Sequence, residues 1–232
     1  MRKHVRRVLA TTNVAGNTEY LNRLTEVVDS ADIDAVALIG NLADPNTQDK
    51  VAQYKAIFKI AGHFHVPVFY IPGAKDVPLY QYLREAYNIE LVFPMLKGVH
   101  GKVAFGPGHI AFVGMGGHIL DDEHVTPEEH EELRYPGWMV EYELKILNEL
   151  KDYVKVFLFS TPPSHKGMNR DGSTTLEELI KTFAPVAAIV DDKEFYHEFL
   201  GTTLVVSPGK LAEGDYAVVD LRRRKVETGD VR

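Results

Sequence analysis

The sequence predicts an α/β fold in which a largely parallel sheet is covered by helices on both faces. Continuous apolar runs such as Asp34–Gly40 and Val66–Gly73 are typical of strands that are buried on both faces. Segments of helical periodicity separate these runs, which is the alternation that parallel sheets require. The chain has 232 residues, a length that one large domain can fill, so we expect residues 1–232 to form a single domain.

The amino-terminal elements follow one another as alternating strands and helices. Thr11 and Asn13 are polar residues at the end of the first apolar strand, and Asn17 is a suitable cap for the first helix. We predict strands at Val8–Ala10, Asp34–Gly40 and Val66–Gly73, and helices at Asn17–Ser30, Gln48–Ala61 and Leu79–Tyr87. The crossovers between such parallel strands are expected to be right-handed.

The pattern changes after the third helix, where a Gly-Pro-Gly turn joins two short strands. The further predicted elements are strands at Lys102–Phe105, His109–Gly114, Val154–Phe159 and Ala187–Val190, and helices at Gly137–Lys151 and Ser173–Phe183. Three last strands, Thr203–Val206, Tyr216–Leu221 and Lys225–Thr228, are predicted to be consecutive and antiparallel.

Composition excludes several classes of protein. The net charge of −7 argues against a general partner role for nucleic acid or for an acidic membrane. The absence of cysteine excludes disulfides, thiolate metal sites and cysteine nucleophiles. We find neither a signal peptide nor an apolar run of transmembrane length, so the expected localisation is cytoplasmic. The sequence leaves open whether the protein forms a homo-oligomer.

Five predicted strands end in loops rich in small and polar residues, with the sequences TNVAGN, GNLAD, PGAKD, STPPSHKG and VDDKE. Their order and spacing resemble the calcineurin-like metallophosphoesterase superfamily over nearly the whole chain, including the closing segment Thr202–Leu221. These loop sequences look most like those of a small bacterial, largely thermophile branch of that superfamily. The resemblance implies a four-layer αββα sandwich of two mixed β-sheets. It also implies phosphoesterase ancestry, with two metal ions bound at the carboxyl ends of the strands.

The ligand motifs of that family are altered in this sequence. Where the family has Asp-x-His, Gly-Asp, Gly-Asn-His and a histidine before x-Pro-Pro, this chain has Asn13-Val14-Ala15, Gly40-Asn41, Gly73-Ala74-Lys75 and Ser160. The final Gly-His-x-His motif falls near Asp191–Phe195, in a frame uncertain by one residue. Lys193 replaces a histidine in either frame, and Asp191 is the single ligand that one frame retains.

Two divalent cations a few ångströms apart need anionic ligands between them, because their mutual repulsion is otherwise uncompensated. Asparagine offers a neutral carbonyl oxygen, alanine offers nothing, and a lysine adds positive charge. We therefore expect no two-metal centre and no cofactor. The resemblance implies a phosphoesterase, but the sequence leaves open whether this chain is an enzyme.

The replaced positions indicate a pocket for a small anionic or phosphate-bearing ligand. Its candidate residues are Asn13, Asn41, Lys75, Asp76, Ser160, His165, Lys166 and Lys193. The competing interpretation is that the cationic side chains extend into solvent and that the two asparagines bond their own backbone in turns. A single weakly held hard cation at Asp76, Asp171 and Asp191 is a further alternative.

Two other histidine-bearing segments are interpreted structurally. Gly62-His63-Phe64-His65 spells the last family motif but precedes a strand, which makes it a helix end on the opposite edge. His118–His130 is acidic and is interpreted as a solvated loop, with a metal site left open. The first functional hypothesis is a binding or regulatory protein. The second is a hydrolase with a remodelled or single-metal site, and the third is a structural oligomer subunit.

Overall fold

The computed structural model describes residues 4–122, 124–165 and 172–232. Its strands are β1 (Arg7–Thr12), β2 (Ala35–Ile39), β3 (Val68–Ile71), β4 (Leu96–Gly98), β5 (Lys102–Gly106), β6 (Ile110–Met115), β7 (His118–Leu120), β8 (Arg134–Pro136), β9 (Val154–Phe159), β10 (Ala187–Val190), β11 (Tyr196–Leu200), β12 (Thr203–Ser207), β13 (Asp215–Asp220) and β14 (Lys225–Asp230). Its α-helices are α1 (Thr18–Ser30), α2 (Lys50–Gly62), α3 (Leu79–Val92), α4 (Pro127–Glu131), α5 (Gly137–Glu143) and α6 (Thr174–Phe183).

Two six-stranded mixed sheets lie face to face, with helices outside them. The first has the order β14-β13-β1-β2-β3-β4, in which β1 to β4 are parallel and the two carboxyl-terminal strands are antiparallel. The second has the order β11-β12-β10-β9-β6-β5, with parallel strands at its centre and an antiparallel strand at each edge. The predicted α/β sandwich of two mixed sheets is confirmed.

Each layer is held by its own apolar cluster, because every central strand is buried on both faces. Between the sheets, the rings of Phe69 and Phe112 stack with centroids 3.6 Å apart. Helices α1, α2 and α3 cover the outer face of the first sheet, and Leu21, Leu24 and Val28 form the buried stripe of α1. Helices α5 and α6 cover the second sheet. The parallel strands therefore end together at one edge of the sandwich.

The helix predicted at Gly137–Lys151 is wrong in its second half. Helix α5 ends at Glu143, and a 3₁₀ turn follows at Lys145–Asn148. Leu144, Leu147 and Leu150 are all buried, and their spacing of three residues matches the 3₁₀ period rather than the α period. The tighter turn keeps all three side chains on the core face.

The prediction for the last three strands is correct for β13 and β14, which form an antiparallel pair. It is wrong for β12, which lies in the second sheet parallel to β10. The chain leaves that sheet after Ser207 and crosses to the first, where Gly209 adopts a positive φ of 87° and its carbonyl accepts a hydrogen bond from the Thr12 amide. Within the described ranges, no helix is long and apolar enough to span a membrane.

Candidate functional site

The loops after β1, β2 and β10 meet at the carboxyl edge of the two sheets, through the side chains of three residues. The Asn41 Nδ2 donates to the Oδ1 of Asn13 at 2.5 Å, and the Asn13 Nδ2 donates to the Oδ1 of Asp191 at 2.6 Å. Since β1 and β2 belong to the first sheet and β10 to the second, this cluster joins the two sheets. Asn13 and Asn41 thus lie at the same edge, as loops that follow parallel strands should.

A backbone amide fixes the direction of these hydrogen bonds. The N–H of Lys75 donates to the Oδ1 of Asn41 at 2.9 Å, and a backbone N–H can only donate. The Asn41 amide must therefore turn its nitrogen towards Asn13, which in turn directs the Asn13 nitrogen to the Asp191 carboxylate. We call this series, from the Lys75 N–H through Asn41 and Asn13 to Asp191, the amide relay.

Backbone geometry at the strand ends makes room for the amide relay. Asn13 and Asn41 have φ values of 46° and 45°, in the left-handed region that asparagine tolerates better than most residues. A Cβ added at Gly73 would lie 2.2 Å from the backbone nitrogen of Asn41, so only glycine fits at position 73. The two asparagines thus adopt turn conformations, but their side chains bond across loops. The interpretation that both bond only their own backbone is wrong.

Asp191 is a largely buried carboxylate at the end of the amide relay. Burial raises its pKa to about 7, and the neighbouring Asp192 carboxylate acts in the same direction. Hydrogen bonds from Thr12 and Asn13 and the positive charge of Lys210 oppose that rise in the pKa. Near neutral pH this side chain can therefore exchange a proton, which is a property often found at functional sites.

Asp76 has a different role from the one predicted. Its side chain is fully buried and accepts hydrogen bonds from the backbone N–H groups of Gly73, Leu42 and Ala43 at 2.8 to 3.2 Å, and from the Tyr54 hydroxyl at 3.1 Å. Burial raises the pKa of Asp76, and the four hydrogen bonds work against that rise. Its oxygen atoms are occupied inside the protein, so Asp76 holds the loops together and is withdrawn from the candidate pocket.

Ser160 and His165 do not act together. The Ser160 hydroxyl lies 2.9 Å from the carbonyl of Gly117 and 3.2 Å from that of Pro72, which makes it a link between strand ends. The Nδ1 of His165 lies 3.3 Å from Glu177 on α6, a carboxylate that also binds Lys181. His165 is therefore drawn towards α6. Lys166 and Asp171 lie outside the described residues.

Lys75 and Lys193 are both exposed, in the loops that follow β3 and β10. A third lysine, Lys210, lies close enough to Asp191 to lower the pKa of that carboxyl, and it also pairs with Glu213 at 3.2 Å. Sequence reasoning missed Lys210. The available signal was its position directly after Ser-Pro-Gly in the closing segment, since that loop pairs Lys210 with Thr12 at the site edge.

The donor set does not fit a two-metal centre. The amide oxygens of Asn13 and Asn41 already accept hydrogen bonds, and Ala74 has no ligand atom. Asp191 supplies one carboxylate, which leaves the charge of a second cation uncompensated. Among residues 4–122, 124–165 and 172–232, no group of three or more histidine, aspartate or glutamate side chains is arranged to hold a metal ion.

The other two histidine-bearing segments have structural roles. His63 caps the carboxyl end of α2, before β3, at the edge opposite the amide relay. In the acidic segment, Asp121 accepts hydrogen bonds from the Ser173 hydroxyl and the Thr174 N–H at the start of α6, which lower its pKa. Glu129 completes a capping box with Thr126. These carboxylates are occupied at helix ends.

Comparison with known proteins gives a consistent result. A family model described as metallophosphoesterase, calcineurin superfamily, matches residues 1–54 and 45–231. The crystal structure of TT1561 of Thermus thermophilus is 48% identical, with a TM-score of 0.92, and the match covers 99% of this chain and 100% of that one. A second solved structure is 29% identical, with a TM-score of 0.87 and coverage of 99% and 100%. A dimetal phosphatase from Danio rerio, at 10% identity, a TM-score of 0.62 and coverage of 98% and 99%, shares the fold. No curated protein matches the chain.

Proposed function

The chain belongs to the calcineurin-like metallophosphoesterase superfamily, and on that premise we propose that it binds a small phosphate-bearing anion with little or no two-metal hydrolysis. The observation that carries the proposal is the amide relay. It occupies the oxygen atoms that cations would need as ligands at Asn13 and Asn41. Open α/β sheets generally bind ligands in the crevice outside the carboxyl ends of their strands, which supports this edge as the place of binding.

Positive charge at this edge supports an anionic ligand. Lys75, Lys193 and Lys210 lie in three different loops that follow strands β3, β10 and β12. Ammonium groups hold phosphate as point-charge donors, whereas a metal ion also lowers the pKa of a bound water. Binding without fast hydrolysis is therefore the outcome that lysines in place of metals favour.

Asp191 weakens the binding of an anion when its carboxyl group is ionised and strengthens it when that group is protonated. Because its pKa is about 7, proton uptake removes negative charge from this edge of the sandwich and adds an O–H donor. Phosphate affinity at constant phosphate charge is therefore expected to increase as the pH falls through that value.

The test is calorimetry with inorganic phosphate at low salt. Lys75→Ala combined with Lys193→Ala should weaken binding at least tenfold, roughly 1.4 kcal/mol. The control is Lys59→Ala with Lys225→Ala, which removes the same charge from exposed lysines away from this edge and should leave affinity within about twofold. No phosphate affinity in the parent protein, or equal losses in both double variants, would contradict the proposal.

The second candidate function is hydrolysis at a remodelled or single-metal site. Asp191 favours it, as the carboxylate of the amide relay and the ligand that one frame of the last family motif retains. Turnover of bis(p-nitrophenyl) phosphate with and without Mn²⁺, together with elemental analysis, separates the two functions. Manganese-stimulated turnover that disappears in Asn41→Ala and Asp191→Ala would favour the hydrolase and overturn the binding function.

A further inference from the structure

Two cavities adjoin each other at the amino edge of the sandwich, where the parallel strands of the first sheet begin. This edge is opposite to the one that carries the amide relay. One cavity, of about 840 Å³, is lined by charged side chains, and the other, of about 500 Å³, is lined mostly by apolar ones. His4 and Asp34 line both of them. Both volumes lie within the range of about 300 to 1,000 Å³ that is typical of small-molecule sites.

The apolar cavity lies between the amino ends of the first sheet and the turn that joins β5 to β6 in the second sheet. Its walls include Pro67, Pro94 and Pro107, whose rings fix the backbone φ. The Val5 N–H donates to the carbonyl of Pro107 at 3.3 Å, and the Val36 N–H donates to that of Pro67 at 2.9 Å. The walls are therefore rigid, and a ligand would enter with little cost of ordering them.

Apolar surface and positive charge meet at the rim of the apolar cavity. The side chains of Phe105 and Met95 are 47% and 40% exposed there. The Nζ of Lys97, on β4, donates to the Phe105 carbonyl, on β5, at 2.6 Å and so reaches from one sheet to the other. An ammonium group has three donors, so this bond leaves two of them for an anion.

The other cavity is lined by two pairs of consecutive arginines, and we call it the arginine cavity. These pairs are Arg6-Arg7, where β1 begins, and Arg222-Arg223, in the turn after β13. Asp34 accepts both backbone N–H groups of the first pair, at 2.9 and 3.0 Å, and Asp220 accepts both of the second pair, at 3.0 and 2.7 Å. The carboxylates thus hold the backbone that carries the arginines. With the described residues, the guanidinium groups of Arg6 and Arg222 make no hydrogen bond or ion pair.

We propose that this edge binds an amphipathic anion, a small molecule whose chain or ring fills the apolar cavity and whose carboxylate lies in the arginine cavity. Guanidinium groups hold carboxylates through pairs of parallel hydrogen bonds, and Lys97 adds positive charge at the rim. The occupant is a free small molecule because both surfaces are concave, whereas a membrane or a flat protein surface would leave them unfilled. The site is separate from the crevice at the carboxyl edge.

Calorimetry with sodium octanoate at low salt tests the apolar part, since octanoate joins a carboxylate to an apolar chain. Met95→Asp places a carboxylate at the rim of the apolar cavity and should weaken octanoate binding at least tenfold. The matched control is Leu91→Asp on α3, where the parent leucine is 67% exposed and lines neither cavity, and it should change the affinity less than about twofold. Thermal unfolding by circular dichroism checks that both variants fold.

Arg6→Ala combined with Arg222→Ala tests the anionic part. This double variant should bind octanoate at least tenfold more weakly than the parent and should bind 1-octanol, which has no charge, as the parent does. Arg84→Ala with Arg134→Ala removes the same charge from exposed side chains elsewhere and should leave octanoate binding within about twofold. Lys75→Ala with Lys193→Ala should also leave it unchanged, so failure of this inference and failure of the proposed function are distinguishable.

Three results would overturn the inference. The first is a parent protein that binds no octanoate at about 1 mM. The second is an equal loss of affinity in Met95→Asp and Leu91→Asp, which would mean that added negative charge acts at a distance and not in the cavity. The third is 1-octanol that binds the parent as tightly as octanoate, because the arginines would then contribute nothing.

Discussion

Asp76 and Asp191 are both carboxylates in strand-end loops at the same edge of the sandwich, yet their surroundings differ. Asp76 accepts four hydrogen bonds, three of them from backbone amides, and is fully buried. Asp191 accepts from side chains, lies beside Asp192 and remains partly accessible. Backbone donors cannot be withdrawn when a ligand arrives, whereas side-chain donors can rotate. A carboxylate on backbone amides therefore serves the fold, and one on side chains is available for chemistry.

The largest expected effect comes from removing the Asp76 carboxylate. Asp76→Ala leaves three backbone N–H groups and the Tyr54 hydroxyl buried without an acceptor, and it should lower the free energy of unfolding by about 4 kcal/mol or more. Urea unfolding measures the loss. Asp191→Ala is the control; at pH ~5, where the parent carboxyl is protonated, it should change stability by about 1 kcal/mol or less. Equal losses in the two variants would remove the distinction between the two carboxylates.

A smaller effect is expected from Asp191→Asn, and it depends on pH. Because the pKa of Asp191 is about 7 in the folded protein and near its ordinary value of 3.8 when unfolded, the folded state binds the additional proton between these values. The stability of the parent thus falls as the pH rises through this window. Asp191→Asn lacks that loss and should be more stable than the parent by up to about 4 kcal/mol above pH ~8, with no advantage near pH ~4.

Unfolding in urea across that pH range measures the difference, and a carboxyl NMR titration gives the pKa directly. A difference between Asp191→Asn and the parent that stays constant with pH would contradict the raised pKa. Asp191 would then serve the fold, as Asp76 does, and the distinction between the two carboxylates would weaken.

The smallest effect is expected at Asn41, in the middle of the amide relay. Asn41→Ala removes the acceptor of the Lys75 N–H and places alanine at a φ of 45°, so a loss of about 1.5 kcal/mol is expected. Asn41→Gly relieves the backbone conformation but not the lost hydrogen bonds, and it should recover about 0.5 kcal/mol or more of that loss. Chemical denaturation of both variants separates the two contributions. Identical losses would mean that the backbone conformation is not strained there.

Much of the fold was predictable because the central strands are continuous apolar runs that end in recognisable loops. Two short edge strands, β4 and β11, were not. In β11, the side chains of His197, Glu198 and Phe199 are all exposed, so the strand has no alternation to detect. Strand β4 has only three residues, and its middle one is a lysine. Edge strands are defined by their neighbours, which a pattern along one segment does not contain.

The meeting of strand-end loops at one edge could be predicted from the sequence, but the bonding of their side chains could not. The sequence placed Asn13 and Asn41 at one edge because parallel strands share a direction. It could not show that Asp76 turns inwards, since its four donors come from three separate stretches of chain. Nor could it show that Glu177, twelve residues further along, draws His165 towards α6. These outcomes depend on contacts between loops.

The fixed direction of the amide relay limits the single substitutions that the crevice can accept. Asn41→Asp alone would set a carboxylate oxygen against the Oδ1 of Asn13, where a nitrogen now donates. If Asn13 answered by flipping its amide, its oxygen would face Asp191, and only a proton on that carboxyl would restore a donor. Both arrangements are expected to be less stable than the present one, so a carboxylate at position 41 would need accompanying substitutions at Asn13 or Asp191.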